Sequence, residues 1–401
     1  MTAPPSDRRS HLPHATLRES ESVSFLELFF DLVLVLALTQ ATAIMAADPT
    51  WSGLARGALV LGVMWWAWVG YAWLTSVIDP EDTHNRLMIG AALTALLIAA
   101  IALPEAFDEN AHLFAGAYAI VRYLQIGLFA IAAREEGMEG LARSVSGLAV
   151  STTIGVGLIT VASFADGTTQ GLLWLVAIAL DMAGPYVFGS EGWRVAPKHF
   201  AERHALIIII ALGESIVAIG VGAEGIEGAL TTEETLAAVF GATLAFAMWW
   251  MYFDVVEKVA ARRLQNAAPG KEQNEIARDS FSYLHFPMVA GIVFVALGLK
   301  KTIGHVEDHL YPEVATAMFG GMAAYLIAHV AFRWRNVKRF SSHRLIAAIL
   351  CVACIPLATE ISALQSLLLL NAIAVLLIAY ETIRFRGRRA ELLARLAAHE
   401  H

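Results

Sequence analysis

The stretch SFLELFFDLVLVLALTQATAIMA occupies residues 24–46 and decides the class of fold. It is mostly apolar and contains only two charged side chains, Glu27 and Asp31, both in its first half. About 20 consecutive apolar residues are enough for a helix to cross the hydrocarbon core of a bilayer. The stretch therefore predicts a membrane-spanning helix that carries two carboxylates near its beginning.

The composition of the whole chain agrees with this interpretation. Of 401 residues, 57% are hydrophobic and 16% are charged, and the formal net charge is −8. A soluble domain has about 45–50% apolar and about 25% charged residues, so an ordinary soluble enzyme of this length is excluded. The apolar content excludes extensive disorder, and the acidic balance lacks the basic excess of a nucleic-acid-binding protein. We therefore predict an all-α polytopic membrane protein with no nucleic-acid partner.

Similar apolar runs recur along the chain and predict about twelve transmembrane helices. The predicted spans lie near 24–46, 53–76, 87–104, 112–133, 144–164, 170–189, 204–223, 235–254, 283–303, 314–332, 344–359 and 362–383. With this count, both chain ends and the loops after even-numbered spans hold 24 of the 28 Lys and Arg residues. Because basic residues collect in cytoplasmic loops, both termini are predicted to be cytoplasmic. Residues 1–22 are polar, so no cleavable signal peptide is expected.

Two short sequence matches indicate an internal duplication. VLALTQ at 35–40 parallels IIALGE at 209–214, and MWW at 64–66 recurs at 248–250. Six spans per half is an even number, so the two halves keep the same orientation, as in the parallel repeats of some transporters. The predicted organisation is a cytoplasmic tail at 1–22, a first six-helix repeat at 23–195, a second six-helix repeat at 196–384 and a basic cytoplasmic tail at 385–401.

Glu27 and Asp31 are the first candidate site residues. They are four residues apart, so they share one helix face, and Asp31 lies about 6 Å deeper in the span. Charged groups inside a span are costly and usually face a cavity or a partner. Two adjacent carboxylates repel each other, so at least one is expected to hold a proton near neutral pH. Proton coupling, metal binding and acid catalysis stay open, as does an acidic helix N-terminus that complements the helix dipole.

Glu214 in the seventh span is the second candidate. It lies ten residues beyond His204, about 15 Å further along the helix, which places it near the middle of the bilayer. An ionisable residue at this depth indicates a functional site, and the alternative is an acid that is buried for packing. Ser215 follows it, and Gln40 occupies the matching position in the first span. One half would then carry a titratable group and the other half a neutral hydrogen-bonding amide.

A third group of polar residues lies at the predicted cytoplasmic ends of several spans. It comprises Arg86, His199, Glu202, Arg203, Asp254 and His285. These side chains are expected to converge with Glu27 and Asp31 in one vestibule, and the alternative for each of them is an interfacial anchor. His199 and Glu202 have a spacing that can ligate a metal, but metal sites need three or four ligands, and no metal is predicted. The alternative at the entry of the seventh span is an ion-pair network that includes Arg203.

Three further ionisable residues lie inside predicted spans: Arg122, Asp181 and His329. Arg122 is a candidate to pair with an acid that the sequence does not identify. The tryptophan-rich stretch 65–73 either lines a solute path or packs against lipid and other helices. The two cysteines, Cys351 and Cys354, are predicted to be packing residues rather than a redox or metal-binding pair.

Five motifs resemble those of one known family. They are ELFFDLV at 27–33, HxxERxxL at 199–206, LGES at 212–215, WWxYFD at 249–254, and HxP at 285–287 with Gly291. Their combination resembles the bacterial low temperature requirement protein A family over spans one to nine, with Ala205 where Gly is expected in that family. The resemblance implies a multi-pass protein of the bacterial inner (cytoplasmic) membrane. It implies almost nothing about the chemistry.

Three classes of function are compatible with these residues. The leading hypothesis is a secondary-transporter-like protein for a small solute or ion, coupled to protons through buried carboxylates. The second is a membrane-embedded enzyme that acts on a lipid or isoprenoid substrate, with Glu27, Asp31, Glu214 and Asp254 as its acids. The third is a non-catalytic membrane sensor or assembly factor. No cofactor is predicted; membrane lipids and an unidentified small solute or ion are the expected partners, and a homo-oligomer is left open.

Overall fold

The computed structural model describes residues 16–18, 20–135, 140–189, 192–224, 226, 228–387 and 389–391. Most of the predicted tail at 1–22 and part of the predicted tail at 385–401, including Arg388, lie outside the described residues. The described chain is helical almost throughout, as the composition predicts.

The helices, numbered in chain order, follow the predicted apolar runs closely. They are α1 (Phe25–Ala47), α2 (Trp51–Val77), α3 (Thr83–Ala102), α4 (Ala111–Ala132), α5 (Leu141–Ala162), α6 (Gly167–Val187), α7 (Pro197–Ala223), α8 (Thr232–Phe253), α9 (Val256–Gln265), α10 (Lys271–Ile276), α11 (His285–Ile303), α12 (Pro312–Val337), α13 (Ser342–Ala358) and α14 (Ala363–Arg384). A 3₁₀ turn at Leu103–Glu105 extends α3, and a π-helical segment at Ala277–Tyr283 joins α10 to α11.

Eleven of these helices in the described ranges are long and apolar enough to cross a membrane, one fewer than the twelve predicted. They are α1 to α8, α11, α12 and α14. The predicted span at 344–359 is instead the 17-residue helix α13. Its apolar run is bounded by Arg344 and Glu360, which leaves fewer than the ~20 residues that a full crossing normally takes.

Local sequence signals set where several helices begin. Ser24 caps α1 in a capping box, in which its hydroxyl accepts from the Glu27 N–H while the Glu27 carboxylate accepts from the Ser24 N–H. Thr231 and Glu234 form the same motif at α8. Each motif satisfies two backbone donors that a helix leaves free at its first turn. Glu27 therefore has a role in starting α1 as well as a place in the site described below.

Short loops reverse the chain between the long helices, so alternate loops lie at opposite ends of the bundle. The segment before α1 meets the loop after α2 through an antiparallel bridge between Leu17 and Ile78. At the opposite end, His309 pairs with Ser362, next to the start of α14. We call the first of these ends the basic end, because the segments between the predicted spans on that side, together with the two predicted tails, account for 24 of the 28 Lys and Arg residues.

The segment between α8 and α11 was not predicted to be ordered and forms α9, α10 and the π-helical segment. Helix α9 packs against α7, α8 and α12 at the basic end. The π-helical segment directs Ser282 into the bundle, where its carbonyl accepts from Trp65 Nε1 at 2.9 Å and its hydroxyl accepts from Trp73 Nε1 at 2.9 Å. This segment therefore joins the second half of the chain to the tryptophan-rich part of α2.

Candidate functional site

Four of the predicted site residues meet in a buried ion cluster between α1 and α7. Glu27 and Asp31 come from the first two turns of α1, and His199 and Arg203 from the first two turns of α7. All four side chains are almost fully excluded from solvent. In each helix the two residues are four positions apart, so each pair lies on one face and the two faces oppose each other.

The cluster is held by short charge-assisted contacts. Glu27 Oε1 accepts from His199 Nε2 at 2.7 Å and from Arg203 Nη1 at 3.3 Å. Arg203 Nη2 donates to Asp31 Oδ1 at 2.5 Å. Hydrogen bonds of this kind between ionised groups are shorter and stronger than neutral ones. The two acids that were expected to repel each other therefore share one guanidinium.

Residues that sequence reasoning missed complete the cluster. Arg18, from the segment before α1, donates from Nη1 to Glu27 Oε2 at 3.2 Å and to the Thr75 carbonyl at 2.7 Å. Trp68 on α2 donates from Nε1 to Asp31 Oδ1 at 2.7 Å, and Arg203 stacks over its ring at 5.5 Å from the centroid. Two carboxylates thus face two guanidinium groups, so the cluster is balanced in charge when His199 is neutral. It ties α1, α2 and α7 together at the basic end.

The wider vestibule predicted around these residues is wrong for three of its members. Glu202 is exposed, although Ala201 and Arg203 on either side of it are buried. Arg86 is exposed and pairs with Glu81 at 2.8 Å. Asp254 instead forms an ion pair with Arg389 beyond the end of α14. All three residues lie at or near the ends of their helices, but away from the ion cluster.

Glu214 lies apart from the ion cluster, two-thirds of the way along α7. Its Oε2 accepts from the Thr39 hydroxyl on α1 at 2.6 Å, and its side chain is buried. Within the described ranges it has no ion-pair partner, although Lys300 contributes a longer-range electrostatic interaction. Ser215 is buried beside it with a hydroxyl that has no hydrogen-bond partner among the described residues. Gln40 is half-buried and follows Thr39, the α1 residue that Glu214 contacts.

His285 occupies a third buried position, at the start of α11. Its Nε2 lies 2.7 Å from the Tyr252 hydroxyl, and its Nδ1 lies 3.0 Å from the Ser280 carbonyl. Its ring is 5.3 Å from that of His204, measured between centroids. The π-helical segment makes the contact between His285 and Ser280 possible, because it places the Ser280 carbonyl within reach of the first turn of α11.

Arg122 is paired with Asp181, and this ion pair lies between two cavities, of which the first also borders the π-helical segment of the second half. Arg122 Nη2 is 2.9 Å from Asp181 Oδ2 and donates to Thr152 Oγ1 at 2.8 Å, while Nη1 donates to the Trp66 carbonyl at 3.2 Å. Four helices, α2, α4, α5 and α6, contribute these groups. The sequence identified both charged residues as buried, but it gave no signal that they pair.

The larger cavity is a cleft of about 630 Å³, including space open to solvent, on the side of this ion pair towards the basic end. Its polar and aromatic lining includes Trp66, Trp73, Arg122, Gln125, Trp193 and Arg278. A second, smaller cavity of about 220 Å³, also including space open to solvent, reaches Asp181, Tyr118 and Gly155. Trp66 lines both cavities. Neither Glu27, Asp31 nor Glu214 is part of the lining of these two cavities.

The described residues contain no group of three or more His, Cys, Asp and Glu side chains placed to hold a metal ion. Cys351 and Cys354 are free thiols on α13.

The membrane-length helices and their buried charges define a polytopic membrane protein. Comparison with known proteins then gives its family. The family model described as bacterial low temperature requirement A protein (LtrA) matches residues 22–379, and the chain belongs to that family. The match confirms the resemblance and extends it through most of α14. The chain is also 30% identical, over 347 residues, to the uncharacterized protein RA0937 of Rhizobium meliloti (strain 1021), covering 84% of this chain and 82% of that protein. No solved structure matches the chain.

Proposed function

We propose that this protein is a secondary-transporter-like protein that moves a small solute or ion along a path lined by its first six-helix half and by the π-helical segment of the second half. The observation that carries the proposal is the succession of two cavities on either side of the Arg122–Asp181 ion pair. Solute sites of transporters lie near the bilayer midplane and are closed alternately from either side. A buried ion pair between two cavities is suited to act as such a closure, because it opens only when another group replaces one partner.

The order of lining residues along the helices supports a continuous path. Along α4, Tyr118 lines the second cavity, and Gln125 lines the cleft seven residues later, about 10 Å along the helix. Along α5, Leu148 lines the cleft and Ile159 lines the second cavity. Because α4 and α5 run in opposite directions, both helices give the same order, with the cleft nearer the basic end.

The packing order supports the proposed parallel repeat. In the first half, α1 packs against α2 and α3, and the sequence of contacts continues from α3 through α4 and α5 to α6, with α2 also touching α6. The second half makes these same six contacts in the same order, with α7, α8, α11, α12, α13 and α14 in the places of α1 to α6. We therefore assign α1–α6 and α7–α14 to two six-span repeats, with boundaries near 23–195 and 196–384.

The assignment makes α13 the eleventh of twelve spans. Arg344, in its first turn, donates to Glu381 at 2.7 Å near the end of α14. The carbonyl of Ala358, at its last residue, accepts from Ser366 near the beginning of α14. Helix α13 thus reaches both ends of a helix that is long enough to span the membrane. With twelve spans the basic end faces the cytoplasm by the positive-inside rule, and both termini are cytoplasmic.

Proton coupling through Glu214 is the remaining part of the proposal. An acid buried without a counter-ion is most stable when it carries a proton, and opening the α1–α7 contact to water would release that proton. The contact with Thr39 places Glu214 between the two proposed repeats, which must move relative to each other during transport. A rearrangement of the halves would therefore change the surroundings of this carboxyl.

Cysteine accessibility tests the path without knowledge of the solute. In a background with Cys351→Ala and Cys354→Ala, we would introduce Leu148→Cys in the cleft or Ile178→Cys in the second cavity. A membrane-impermeant sulfonated methanethiosulfonate is then applied to sealed vesicles from one side or the other. We expect Leu148→Cys to react from the basic-end side and Ile178→Cys from the opposite side.

The matched control is Ile154→Cys on α5, whose native side chain is 47% exposed on the outer surface of the bundle. It should not react, because thiolates do not form in lipid. If Ile178→Cys is as inert as Ile154→Cys from both sides while Leu148→Cys reacts, the second cavity has no access to water and the proposed path is wrong.

A further inference from the structure

We infer that the cleft binds a small aromatic carboxylate, with Arg122 at the carboxylate and the tryptophan faces at the ring. This inference rests on the proposed function in one respect, since it names the solute class for the same path. It stands on the lining of the cleft, which contains two guanidinium groups and several aromatic rings.

The charge of the lining selects an anion. Two guanidinium groups, those of Arg122 and Arg278, line the cleft, and none of its described lining residues is an Asp or Glu. Each arginine is already paired, Arg122 with Asp181 and Arg278 with Asp279, and both of these acids lie outside the lining. A cation in the cleft would meet positive side chains first, whereas an anion would meet hydrogen-bond donors.

The Nε atom of Arg122 has no hydrogen-bond partner of its own among the described residues. The side chain is 1% exposed, its two terminal nitrogens donate to Trp66, Thr152 and Asp181, and Tyr118 also interacts with the guanidinium. A buried donor without a partner is costly, so such groups usually await water or a ligand. A carboxylate could accept from Nε while Nη2 changes partner from Asp181 to the solute.

The aromatic side chains that line the cleft favour a ligand with an aromatic ring. Trp73 and Trp193 meet edge to face at 5.6 Å between centroids, and Phe129 contacts Trp193 at 4.8 Å. Trp66 meets Tyr283 edge to face at 5.3 Å on another side of the cleft. Aromatic rings pair favourably with other rings in such offset and edge-to-face arrangements. A flat ring therefore fits these walls better than a compact hydrated anion such as phosphate.

Gln125 predicts a preference for aromatic carboxylates that also carry a hydroxyl group. It is buried one helical turn from Arg122, and its Oε1 has no partner among the described residues. Gly70 on α2 leaves space for this amide, since a Cβ there would lie 2.2 Å from Gln125 Nε2. The unpaired oxygen needs a donor from the ligand. A hydroxyl on the carbon next to the carboxylate would reach Gln125 while the carboxylate binds Arg122, so mandelate should bind more tightly than phenylacetate.

Isothermal titration calorimetry of the purified full-length protein in detergent tests the inference with four matched probes. They are phenylacetate, mandelate, the neutral 2-phenylacetamide and the cationic 2-phenylethylammonium. We expect binding in the order mandelate, phenylacetate, acetamide, with no heat from the cation. Equal binding of the neutral and anionic probes, or tighter binding of the cation, would overturn the inference, and so would a cleft that takes up detergent only.

Paired variants locate the site. Arg122→Gln with Asp181→Asn removes both charges together and should weaken phenylacetate binding about ten- to hundredfold. The matched control is Arg344→Gln with Glu381→Gln, which neutralises a largely buried ion pair in the second half, outside the lining of the cleft. Affinity of the control should equal that of the parent protein. Equal affinity in both paired variants would place the binding elsewhere and refute the assignment.

A second variant keeps the test decisive if the paired variant does not fold. Gln125→Leu retains the Arg122–Asp181 pair and should abolish the preference for mandelate while phenylacetate still binds. Retained preference would contradict the role of Gln125. The two proposals can fail separately: probe binding without access to Ile178→Cys refutes the transport path alone, while an accessible path without anion preference refutes this inference alone.

Discussion

Arg203 Nη2 on α7 and Asp31 Oδ1 on α1 lie 2.5 Å apart, although 172 residues separate them in the sequence. The same guanidinium donates from Nη1 to the Thr75 hydroxyl on α2 at 2.9 Å. One side chain therefore connects three helices that belong to both halves of the chain. The carboxylates of Glu27 and Asp31 depend on it for charge compensation inside a low-dielectric surrounding.

Replacement of Arg203 by glutamine is expected to destabilise the protein strongly. The variant leaves Asp31 without a cation and Glu27 with Arg18 as its remaining guanidinium. Removal of one partner from a buried ion pair typically costs about 3–5 kcal/mol. The free energy of unfolding, measured by denaturant titration in detergent micelles, should fall by about this amount.

Glu202, the residue before Arg203, provides the control for this substitution. Glu202→Gln changes one charge at an exposed position on the same turn of α7, so its effect should stay within about 0.5 kcal/mol. Similar losses for Arg203→Gln and Glu202→Gln would mean that the ion cluster contributes nothing specific to stability.

Trp68→Phe tests the other contact of Asp31. The substitution removes the indole donor to Asp31 Oδ1 and preserves most of the ring, while Oδ2 of the same carboxylate already lacks a partner among the described residues. Loss of a hydrogen bond to a buried charged group costs about 1.5–3 kcal/mol. The measurement is again the free energy of unfolding, with Trp249→Phe on the partly exposed face of α8 as the control. A smaller loss for Trp68→Phe than for Trp249→Phe would contradict the assigned hydrogen bond.

The positions of most helices could be predicted from the sequence because the length of an apolar run sets the length of a span. The run at 24–46 became α1 at Phe25–Ala47, and the run at 112–133 became α4 at Ala111–Ala132. The run at 344–359 became α13 at Ser342–Ala358, which is shorter than the eleven membrane-length helices because polar residues bound it. The segment between α8 and α11 escaped prediction, because its order depends on packing against α7 and α12 rather than on an apolar run.

The candidate site could be predicted only in part, for a geometric reason. Helical periodicity places Glu27 and Asp31 on one face and gives their depth, but it does not say which helix that face meets. Arg203 and Trp68 became partners through the lateral arrangement of α1, α2 and α7, and Asp181 became the partner of Arg122 in the same way. The exposure of Glu202 depends likewise on which side of α7 its neighbours leave open.

A double-mutant cycle on Arg122 and Asp181 is expected to show strong coupling. Each single change, Arg122→Gln or Asp181→Asn, leaves one buried charge unpaired and should lower the free energy of unfolding by about 3–5 kcal/mol. The double variant should recover a large part of that loss, because no unpaired charge remains. The coupling energy is calculated from the four unfolding free energies. Additive effects would show that the two side chains do not interact in the membrane-embedded protein, and the ion pair could not then act as a closure.

Glu214→Gln addresses proton coupling directly, because a glutamine retains a carbonyl that can accept from Thr39 but cannot release a proton. If Glu214 couples protons to the movement of the two halves, the balance between accessible states depends on pH in the parent protein. The reaction rate of Ile178→Cys with the impermeant thiol reagent should then change with pH, between about pH 5 and pH 8, beyond the change due to ionisation of the thiol itself.

The comparison between backgrounds isolates this effect. The same Ile178→Cys reporter in a Glu214→Gln background has the same thiol chemistry, so the ratio of the two rates removes the contribution of thiol ionisation. We expect this ratio to vary with pH, and we expect a Glu202→Gln background to behave like the parent, since Glu202 is exposed and lies away from the α1–α7 contact. A ratio that stays constant across the range would mean that the proton on Glu214 does not respond to the movement of the halves, and its carboxyl would then serve only to bind α7 to Thr39 on α1.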